Sequence, residues 1–323
     1  MKKKFLILIL TLVLFFLVID PANNIDAFLS GIRVWATAVL PALFPFFFFT
    51  KFLAELGFPE AVGKYLSPIT KKMYNTSGIS GYIFVMSILS GYPVGAKLTA
   101  DMFEKNVITK NEATRIMSYT STSGPLFIIG TIGIGLFKSQ MIGIMILIVH
   151  ILSALLNGLI YRNIGKEERL KNNNAQIAKM FSNKNILEEC MFNSIKSILI
   201  IGGYVAIFFL IISILNNYNV FSPLLSLIKM VFPNINVNAT QSFLNGIVEV
   251  TRGCLDLSKS TENLRTLLVL SSVMIGFGGF SVHFQAYTFL KKIGISFKLY
   301  LLTKTTQCLI SLALALILGF IIL

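Results

Sequence analysis

The sequence predicts an all-α polytopic membrane protein that consists of two inverted-topology repeats with re-entrant or broken helices. Three observations predict this fold class. Of the 323 residues, 55% are hydrophobic and only 13% are charged, whereas charged residues normally make up about a quarter of a soluble domain. Long apolar runs alternate with short basic segments. Landmark residues of the first half recur in the second half at one constant offset.

Five apolar runs, taken with their flanks, are each long enough to cross a hydrocarbon core of roughly 30 Å. Backbone groups in lipid must bond within their own segment, so we expect these runs to be helices. The alternating ten-residue pattern of a transmembrane β-barrel does not occur in the sequence. The runs cover residues 5–19, 34–49, 141–160, 195–215 and 299–323.

Basic residues concentrate between the apolar runs, at 2–4, 162–184 and 291–298, and the net charge is +14. In a soluble protein this charge would suggest nucleic-acid binding, but here we interpret it as the signal that orients the membrane helices. The positive-inside rule places all three segments on the cytoplasmic side. We therefore predict a multi-pass cell-membrane protein with a cytoplasmic N-terminus and no nucleic-acid partner. The N-terminus also resembles a secretory signal, but residues 20–23 form a poor cleavage site, so we expect a retained helix.

These orientations divide the chain into four parts: an N-terminal transmembrane helix (1–26), a first inverted repeat (27–161), a cytoplasmic basic linker (162–194) and a second inverted repeat (195–323). Equivalent runs of the two repeats are expected to cross the membrane in opposite directions. Inverted repeats are typical of secondary transporters, whose binding site lies near the middle of the membrane between the halves. The landmark pairs are Ser67-Pro68 with Ser222-Pro223, Gly91 with Gly246, Lys97 with Arg252, Asp101 with Asp256, and Gly124 with Gly279.

Two apolar segments, residues 79–90 and 242–250, are too short to span the membrane, and each runs into a polar patch that contains glycine. Short interrupted segments at matching positions of two halves are the best sequence indication of a transport site. We interpret them as half-helices or re-entrant hairpins, because non-helical backbone at that depth persists only where it is buried or lines a wet cavity.

The first patch, residues 90–97, contains Pro93, which interrupts a helix, and two glycines, which permit tight turns. The amides freed there and the charge of Lys97 are suited to an anion. The alternative is that Lys97 simply extends to the membrane interface. The candidate solute-binding residues of this patch are Gly91, Tyr92, Gly95 and Lys97.

The second patch, residues 245–253, places Glu249 among apolar residues. An ionisable group inside a membrane segment is a functional candidate, so we predict that Glu249 carries a coupling proton or binds Na⁺. Thr251 and Arg252 are candidate solute-binding residues. The alternative is a structural ion pair between Glu249 and Arg252 at i,i+3. We also expect one i,i+4 ion pair in each half, Lys97–Asp101 and Arg252–Asp256.

The third and fourth patches, residues 118–131 and 276–285, occupy matching places in the two repeats. The third has hydroxyl groups before a Gly-Pro turn, and hydroxyls and opened amides suit a carboxylate or a polar ring. The alternative is that this patch is a polar turn at the membrane surface. In the fourth, His283 is a candidate proton carrier because histidine titrates near neutral pH, although a lone histidine is more often an ordinary hydrogen-bonding residue. In an extended segment Ser281, His283 and Gln285 would lie on one side, whereas on a helix Ser281 and Gln285 share one face. The candidate solute-binding residues are Ser121, Ser123, Gly124, Gly278, Gly279, Ser281 and Gln285.

Five motifs spread over most of the chain carry a resemblance to a known family. They are Leu-Pro-Ala-Leu-Phe-Pro-Phe at 40–46, Ser-Gly-Tyr-Pro-Val-Gly-Ala-Lys at 90–97, Ser-Gly-Pro-Leu-Phe-Ile-Ile-Gly-Thr at 123–131, Glu-Val-Thr-Arg-Gly at 249–253 and Gly-Phe-Gly-Gly-Phe-Ser-Val-His-Phe-Gln at 276–285. With them the chain resembles the sporulation integral membrane proteins of the YlbJ type, within the wider nucleoside-recognition (Gate) family. The resemblance implies a fold similar to the concentrative nucleoside transporters. It also implies a role in spore formation, the movement of dipicolinate from the mother cell toward the forespore across the outer forespore membrane.

Dipicolinate is a small aromatic dianion, to which basic residues, open amides and hydroxyls are suited, with Tyr92 or Phe280 stacking on its ring. We therefore predict a transporter of a small organic anion, with a nucleoside-like solute permease or a non-transporting sporulation scaffold as alternatives. H⁺ or Na⁺ coupling and a homo-oligomer are both compatible with the sequence. The expected partners are the anionic solute and the lipid bilayer.

We expect neither enzymatic activity nor a cofactor or a metal site. The sequence contains no paired catalytic carboxylates, no cluster of metal ligands and no plausible Ser/His/Asp set. Its three cysteines lack the paired spacing of a disulfide framework or a metal site.

Overall fold

A computed structural model describes residues 2–165, 185–261 and 263–323 of the chain. In these ranges the chain is predominantly α-helical and contains no β-strand. The predicted basic linker 162–194 lies mainly outside the described residues, which cover only its two ends. This holds for its basic residues Lys166, Arg169, Lys171, Lys179 and Lys184.

Fifteen α-helices and two π-helical segments form the described ranges. The α-helices are α1 Lys2–Ile19, α2 Pro21–Val34, α3 Leu40–Glu55, α4 Phe58–Tyr74, α5 Ile79–Ser90, α6 Val94–Glu104, α7 Lys110–Thr120, α8 Gln140–Tyr161, α9 Ile186–Asn217, α10 Ser222–Val231, α11 Val237–Val248, α12 Val250–Ser260, α13 Leu264–Phe277, α14 Gly279–Ile293 and α15 Phe297–Ile322. The π-helical segments are π1 Trp35–Val39, between α2 and α3, and π2 Leu126–Leu136, before α8.

Within the described ranges, four helical spans are long and apolar enough to cross a membrane, and a bent pair near the N-terminus adds a fifth if it is counted as one span. The chain is therefore a polytopic membrane protein, and its described ranges are all-α. The four spans are Gln140–Tyr161, Ile186–Asn217, Leu264–Ile293 and Phe297–Ile322. They confirm helices at the predicted runs 141–160, 195–215 and 299–323.

The N-terminal part differs from the sequence prediction. The bent pair consists of the end of α1 and the helix after it, and the chain bends by 110° between them, beside Asp20. The predicted run 34–49 is not one straight helix, because it passes through π1 into α3, whose apolar part, Leu43–Leu53, is short. Pro41 and Pro45 remove backbone donors there, which interrupts the regular hydrogen-bond ladder.

The two segments that we interpreted as half-helices are indeed short helices. α5 and α11 contain 12 residues each, so each is about 18 Å long and cannot cross the hydrocarbon core alone. α5 ends at Ser90 and α11 ends at Val248, and after each break the chain continues as a second short helix, α6 or α12. Neither 79–97 nor 242–252 is a continuous span. α11 begins at Val237, several residues before the predicted start.

Apolar side chains cover the outside of the molecule, and many polar side chains are buried inside it. Leu309 and Phe320 on α15 are 61% and 81% exposed, whereas Glu112, Arg115 and Asn157 are almost fully buried. This distribution fits a lipid environment, where ionisable and polar groups face the interior of the bundle. The part of the chain before the predicted linker and the part after it share this interior. α9 packs along α2 and α3, α14 packs along α6, and α15 packs along α8.

The hairpin of α11 and α12 closes through two facing glycines. A Cβ atom on Gly253 would lie 2.2 Å from the Gly246 Cα atom and 2.5 Å from its backbone nitrogen. Backbone atoms do not yield as flexible side chains do, so only glycine permits such a close approach of the two helices. The contact fixes Glu249, the single residue between the helices, at the tip of the hairpin.

We expect Gly253→Ala to lower the free energy of unfolding by about 1–3 kcal/mol, because the added methyl group forces the hairpin apart. Gly203→Ala is the matched control, since no atom lies within 4 Å of a Cβ atom at that position and alanine favours a helix. Thermal unfolding of the purified variants in detergent measures the difference. Equal midpoints for the two variants would show that the close contact contributes nothing to stability.

Candidate functional site

The four patches meet around one cavity, which we call the inner cavity. Gly91 and Gly124 lie in contact: a Cβ atom on Gly91, whose φ is +72°, would lie 2.9 Å from the Gly124 backbone nitrogen. The Tyr92 hydroxyl donates a hydrogen bond of 3.3 Å to the Ile275 carbonyl, which joins the first patch to the end of α13. The lining residues are Val39, Leu43, Gly91, Tyr92, Ser123, Gly124, Phe127, Ile201, Val205, Glu249, Val250, Thr251, Ile275, Gly278, Ser281, Val282 and Gln285.

The inner cavity is small, and its walls come from both parts of the chain. Its volume is ≈ 50 Å³, well below the roughly 300 Å³ at which small-molecule pockets begin. The cavity therefore has room for water but not for an organic solute in this conformation. Binding of such a solute requires the walls to move apart.

Glu249 is the acidic residue of the inner cavity. It is 2% exposed and caps the N-terminus of α12, where its Oε2 atom accepts a 2.7 Å hydrogen bond from the Arg252 backbone N–H. Its Oε1 atom accepts a 3.1 Å hydrogen bond from the Thr251 hydroxyl. A carboxylate is well placed there, because a helix N-terminus carries unpaired N–H groups and a partial positive charge.

Arg252 does not form the ion pair with Glu249 that we considered as the alternative. Its Nε atom donates to both carboxylate oxygens of Asp256 at 2.9 Å, which confirms the predicted i,i+4 pair of the second half. Its guanidinium also lies 5.4 Å from the centre of the Phe209 ring. The arginine side chain therefore points along α12, away from the inner cavity.

Lys304, on α15, is a buried cation beside the inner cavity. It is 1% exposed, and its Nζ atom donates hydrogen bonds to the Tyr92 hydroxyl (3.0 Å), the Ser121 carbonyl (3.0 Å) and the Gln307 Oε1 atom (2.7 Å). All three acceptors are neutral, and no carboxylate of the described residues pairs with this ammonium group. Through Tyr92, which lines the cavity, the positive charge is one hydroxyl group away from the cavity wall.

Sequence reasoning misses Lys304 because the run 299–323 is apolar as a whole. A usable signal was present, since a lysine inside a membrane-length apolar helix is a functional candidate by itself. His150, on α8, was also not selected, although its buried Nε2 atom accepts a 2.8 Å hydrogen bond from the Ser123 backbone N–H at the cavity. No local motif distinguishes this histidine, so its role follows only from the fold.

Nine of the predicted site residues line the inner cavity, and six do not. Ser281 and Gln285 share a face of α14 as predicted, with 3.4 Å between the Gln285 Nε2 and Ser281 Oγ atoms. The nine are Gly91, Tyr92, Ser123, Gly124, Glu249, Thr251, Gly278, Ser281 and Gln285. The six are Gly95, Lys97, Ser121, Arg252, Gly279 and His283.

The residues outside the cavity wall have identifiable surroundings. Ser121 takes part indirectly, since its carbonyl accepts from Lys304 and its hydroxyl lies 3.1 Å from the Tyr300 hydroxyl. His283, the predicted proton carrier, is fully buried, with its ring edge-to-face against Phe277 at 4.5 Å and Tyr300 at 5.4 Å. Neither of its ring nitrogens has a hydrogen-bond partner among the described residues.

Lys97 lies in a second, larger cavity, which we call the vestibule. The vestibule has a volume of ≈ 320 Å³. Lys97 and Asp101 both line it, but within the described chain they do not form the predicted i,i+4 ion pair. The charged lining residues are Lys51, Glu55, Lys97, Asp101, Lys105 and Glu189.

Comparison with known proteins finds a relative that is described as a membrane protein of sporulation. The chain is 29% identical over 317 residues to a protein of Bacillus subtilis (strain 168) that is described as sporulation integral membrane protein YlbJ. The alignment covers 89% of this chain and 75% of that relative. No family model and no solved structure matches the chain. The similarity confirms the predicted resemblance to the YlbJ type, and placement in the wider nucleoside-recognition family stays a prediction.

Proposed function

We propose that this relative of the YlbJ-type sporulation integral membrane proteins is a transporter that carries a small organic anion through the inner cavity. The observation that carries the proposal is the buried ammonium group of Lys304 beside that cavity. Three neutral acceptors surround it, and no described carboxylate balances its charge.

A buried charge without a counter-ion costs several kcal/mol, because neutral hydrogen bonds replace only part of the lost hydration. Within a membrane the cost persists only where the charge serves a function or faces a wet cavity. An anion in the inner cavity would supply the missing counter-charge through Tyr92. The same place would repel cationic solutes, so the charge selects the class of solute.

The shape of the site supports movement between two states. The inner cavity lies at helix breaks on both sides of the predicted linker: Gly91 and Gly124 before it, Glu249 and Gly278 after it. Interrupted helices at corresponding positions are typical of secondary transporters, in which one repeat rocks against the other around a central site. We propose that the two inverted repeats move in this way and so open the small cavity to the solute.

Dipicolinate is the solute that we propose, on the strength of the family resemblance. Its two carboxylates match a site that needs a counter-charge, and its aromatic ring matches Tyr92. Phe280, the other ring that we predicted to stack, is not among the residues that line the cavity. The proposed location is the outer forespore membrane, with the N-terminus on the cytoplasmic side.

Glu249 gives the proposed transporter a means of coupling. A carboxylate and a dianion repel each other strongly in a small cavity of low dielectric constant. A proton or a Na⁺ ion on Glu249 would remove that repulsion, so binding of the anion would require the coupling ion. In the proposed transport cycle, Lys304 attracts the anionic solute and Glu249 binds the coupling ion.

Uptake into proteoliposomes tests the proposal. We expect saturable uptake of radiolabelled dipicolinate above that of protein-free liposomes, and no competition by an excess of uridine or adenosine. Strong nucleoside uptake without dipicolinate uptake would instead show a nucleoside-like permease. If neither solute is taken up by protein that restores sporulation in a deletion strain, the scaffold interpretation replaces the transporter.

A further inference from the structure

We propose that the vestibule is a second binding site for the anion, occupied before the inner cavity, with Lys51 and Lys97 as its ligands. This inference rests on the proposed transport function. In this proposal the solute binds first in the vestibule, next to the inner cavity, which is too small to admit it in this conformation. The class of ligand is a small organic dianion, whose two carboxylates match two ammonium groups.

The vestibule and the inner cavity lie in series along the same helices. On α3, Leu43 lines the inner cavity and Phe47, one turn later, lines the vestibule. On α9, Ile201 lines the inner cavity and Ser197, one turn earlier, lines the vestibule. Phe47 is 1% exposed and lies one turn from Leu43 on α3, and we assign its ring as the barrier between the two chambers.

The sizes of the chambers decide which of them can hold a solute in this conformation. The vestibule measures ≈ 320 Å³ and the inner cavity ≈ 50 Å³. Pockets for small molecules measure roughly 300 Å³ or more. The vestibule therefore has room for a dianion before the inner cavity opens.

The charges in the vestibule form two levels: an inner level, Lys51 and Lys97, nearer the inner cavity, and an outer level, which includes Glu55 and Asp101, farther from it. On α3 and again on α6, a lysine comes first and a carboxylate follows one turn farther from the inner cavity: Lys51 then Glu55, and Lys97 then Asp101. No ion pair joins either lysine to a carboxylate in the described part of the chain. Lys51 and Lys97 line the same cavity, so a dianion held between the two ammonium groups would offset the repulsion between like charges.

The remaining charged groups lie at the outer level. Lys105 and Glu189 already interact with other groups, and Glu189 stands in the first turn of α9, beside the predicted linker. The acidic outer level limits unspecific attraction of anions. The inner level presents Lys51 and Lys97, neither of which forms an ion pair among the described residues, to a solute that has passed the outer level. The arrangement thus favours a bound dianion at Lys51 and Lys97, directly outside the Phe47 barrier.

Cysteine modification tests this site without relying on transport. The variant Ser197→Cys places one thiol in the vestibule, in a background in which Cys190, Cys254 and Cys308 are replaced by alanine. The rate of thiol modification is measured with an anionic and with a cationic methanethiosulfonate reagent. The ratio of the two rates at Ser197→Cys is divided by the same ratio at Asn217→Cys, an exposed position. We expect the ratio at Ser197→Cys to favour the anionic reagent, and added dipicolinate to protect this thiol.

Lysine variants assign the effect to the proposed ligands. Lys51→Met and Lys97→Met should each raise the dipicolinate concentration needed for protection by about tenfold, equivalent to about 1.4 kcal/mol, and lower the rate ratio. Lys71→Met, an exposed lysine of α4, is the control and should change neither. Size-exclusion profiles show whether each variant is folded, and for a variant that is not, Lys→Gln at the same position repeats the measurement.

The outcomes separate the vestibule from the transport function. Protection without uptake in proteoliposomes would retain the vestibule site and contradict the proposed function. Uptake without protection, or protection that survives loss of both lysines, would overturn the vestibule site and leave the function intact.

Discussion

Lys304→Met is expected to lower the rate of dipicolinate uptake at subsaturating concentration by about a hundredfold, equivalent to about 2.8 kcal/mol. The reason is the position of the ammonium group, which is buried, bonded to Tyr92 and without a described acidic partner. Without it, the inner cavity has no positive charge near the dianion. The free-energy cost of removing the dianion from water is then no longer offset by a counter-ion. Initial rates over a range of concentrations measure the effect.

The stability of this variant should change much less than its transport. Methionine has a similar length and removes a buried charge, which is often neutral or stabilising, while the three neutral acceptors lose one donor. Lys298→Met is the matched control on the same helix, because Lys298 is exposed. Uptake by Lys304→Met at the wild-type rate would show that Lys304 serves only to join α15 to the loop at Ser121.

The position of the site was predictable from the sequence to a large extent, because helix breaks have local causes. Pro93 and the glycines around it cannot continue a helix, and the structure ends α5 at Ser90 as the short apolar segment predicts. Glu249 was selected as an ionisable residue within a membrane segment, and it lies at the cavity. These features depend on neighbouring residues, which a sequence shows directly.

The direction of each side chain was not predictable in the same way. The sequence predicts Lys97 and Arg252 as anion ligands because they carry charge next to a break. Lys97 follows its break by one helical turn and faces the vestibule, and Arg252 turns along α12 to Asp256. The rotation of a short helix about its axis depends on tertiary packing, and two landmark residues at one offset do not determine it.

The cation beside the inner cavity comes from a helix that carried no break at all. α15 lies far from the first patch in the chain, and its packing against α13 and α8 brings Lys304 to Tyr92 and Ser121. The cavity thus combines groups selected by local pattern with a charge that tertiary structure supplies. The site needs both, since the breaks give space and open backbone amides but no full positive charge.

Glu249→Gln is expected to abolish accumulation of dipicolinate against its gradient while exchange of internal for external dipicolinate continues. Glutamine keeps an oxygen that accepts from the Arg252 backbone N–H, so the cap and the hairpin should persist. It cannot bind or release a proton at neutral pH and is a weak ligand for Na⁺, so an imposed ion gradient no longer drives uptake. Uptake driven by a pH gradient or by a Na⁺ gradient identifies the coupling ion, and counterflow measures exchange.

Two comparison variants separate coupling from structure. Glu104→Gln removes an exposed carboxylate that pairs with Lys292 and should leave both activities unchanged. Glu249→Ala removes the cap as well as the charge, so it should lower stability by about 1 kcal/mol, an effect that Glu249→Gln should not show. Because a neutral side chain mimics the protonated or ion-bound carboxylate, Glu249→Gln should also bind the anion without its coupling ion. Accumulation by Glu249→Gln at the wild-type level would mean that the ion binds elsewhere and that Glu249 only caps α12.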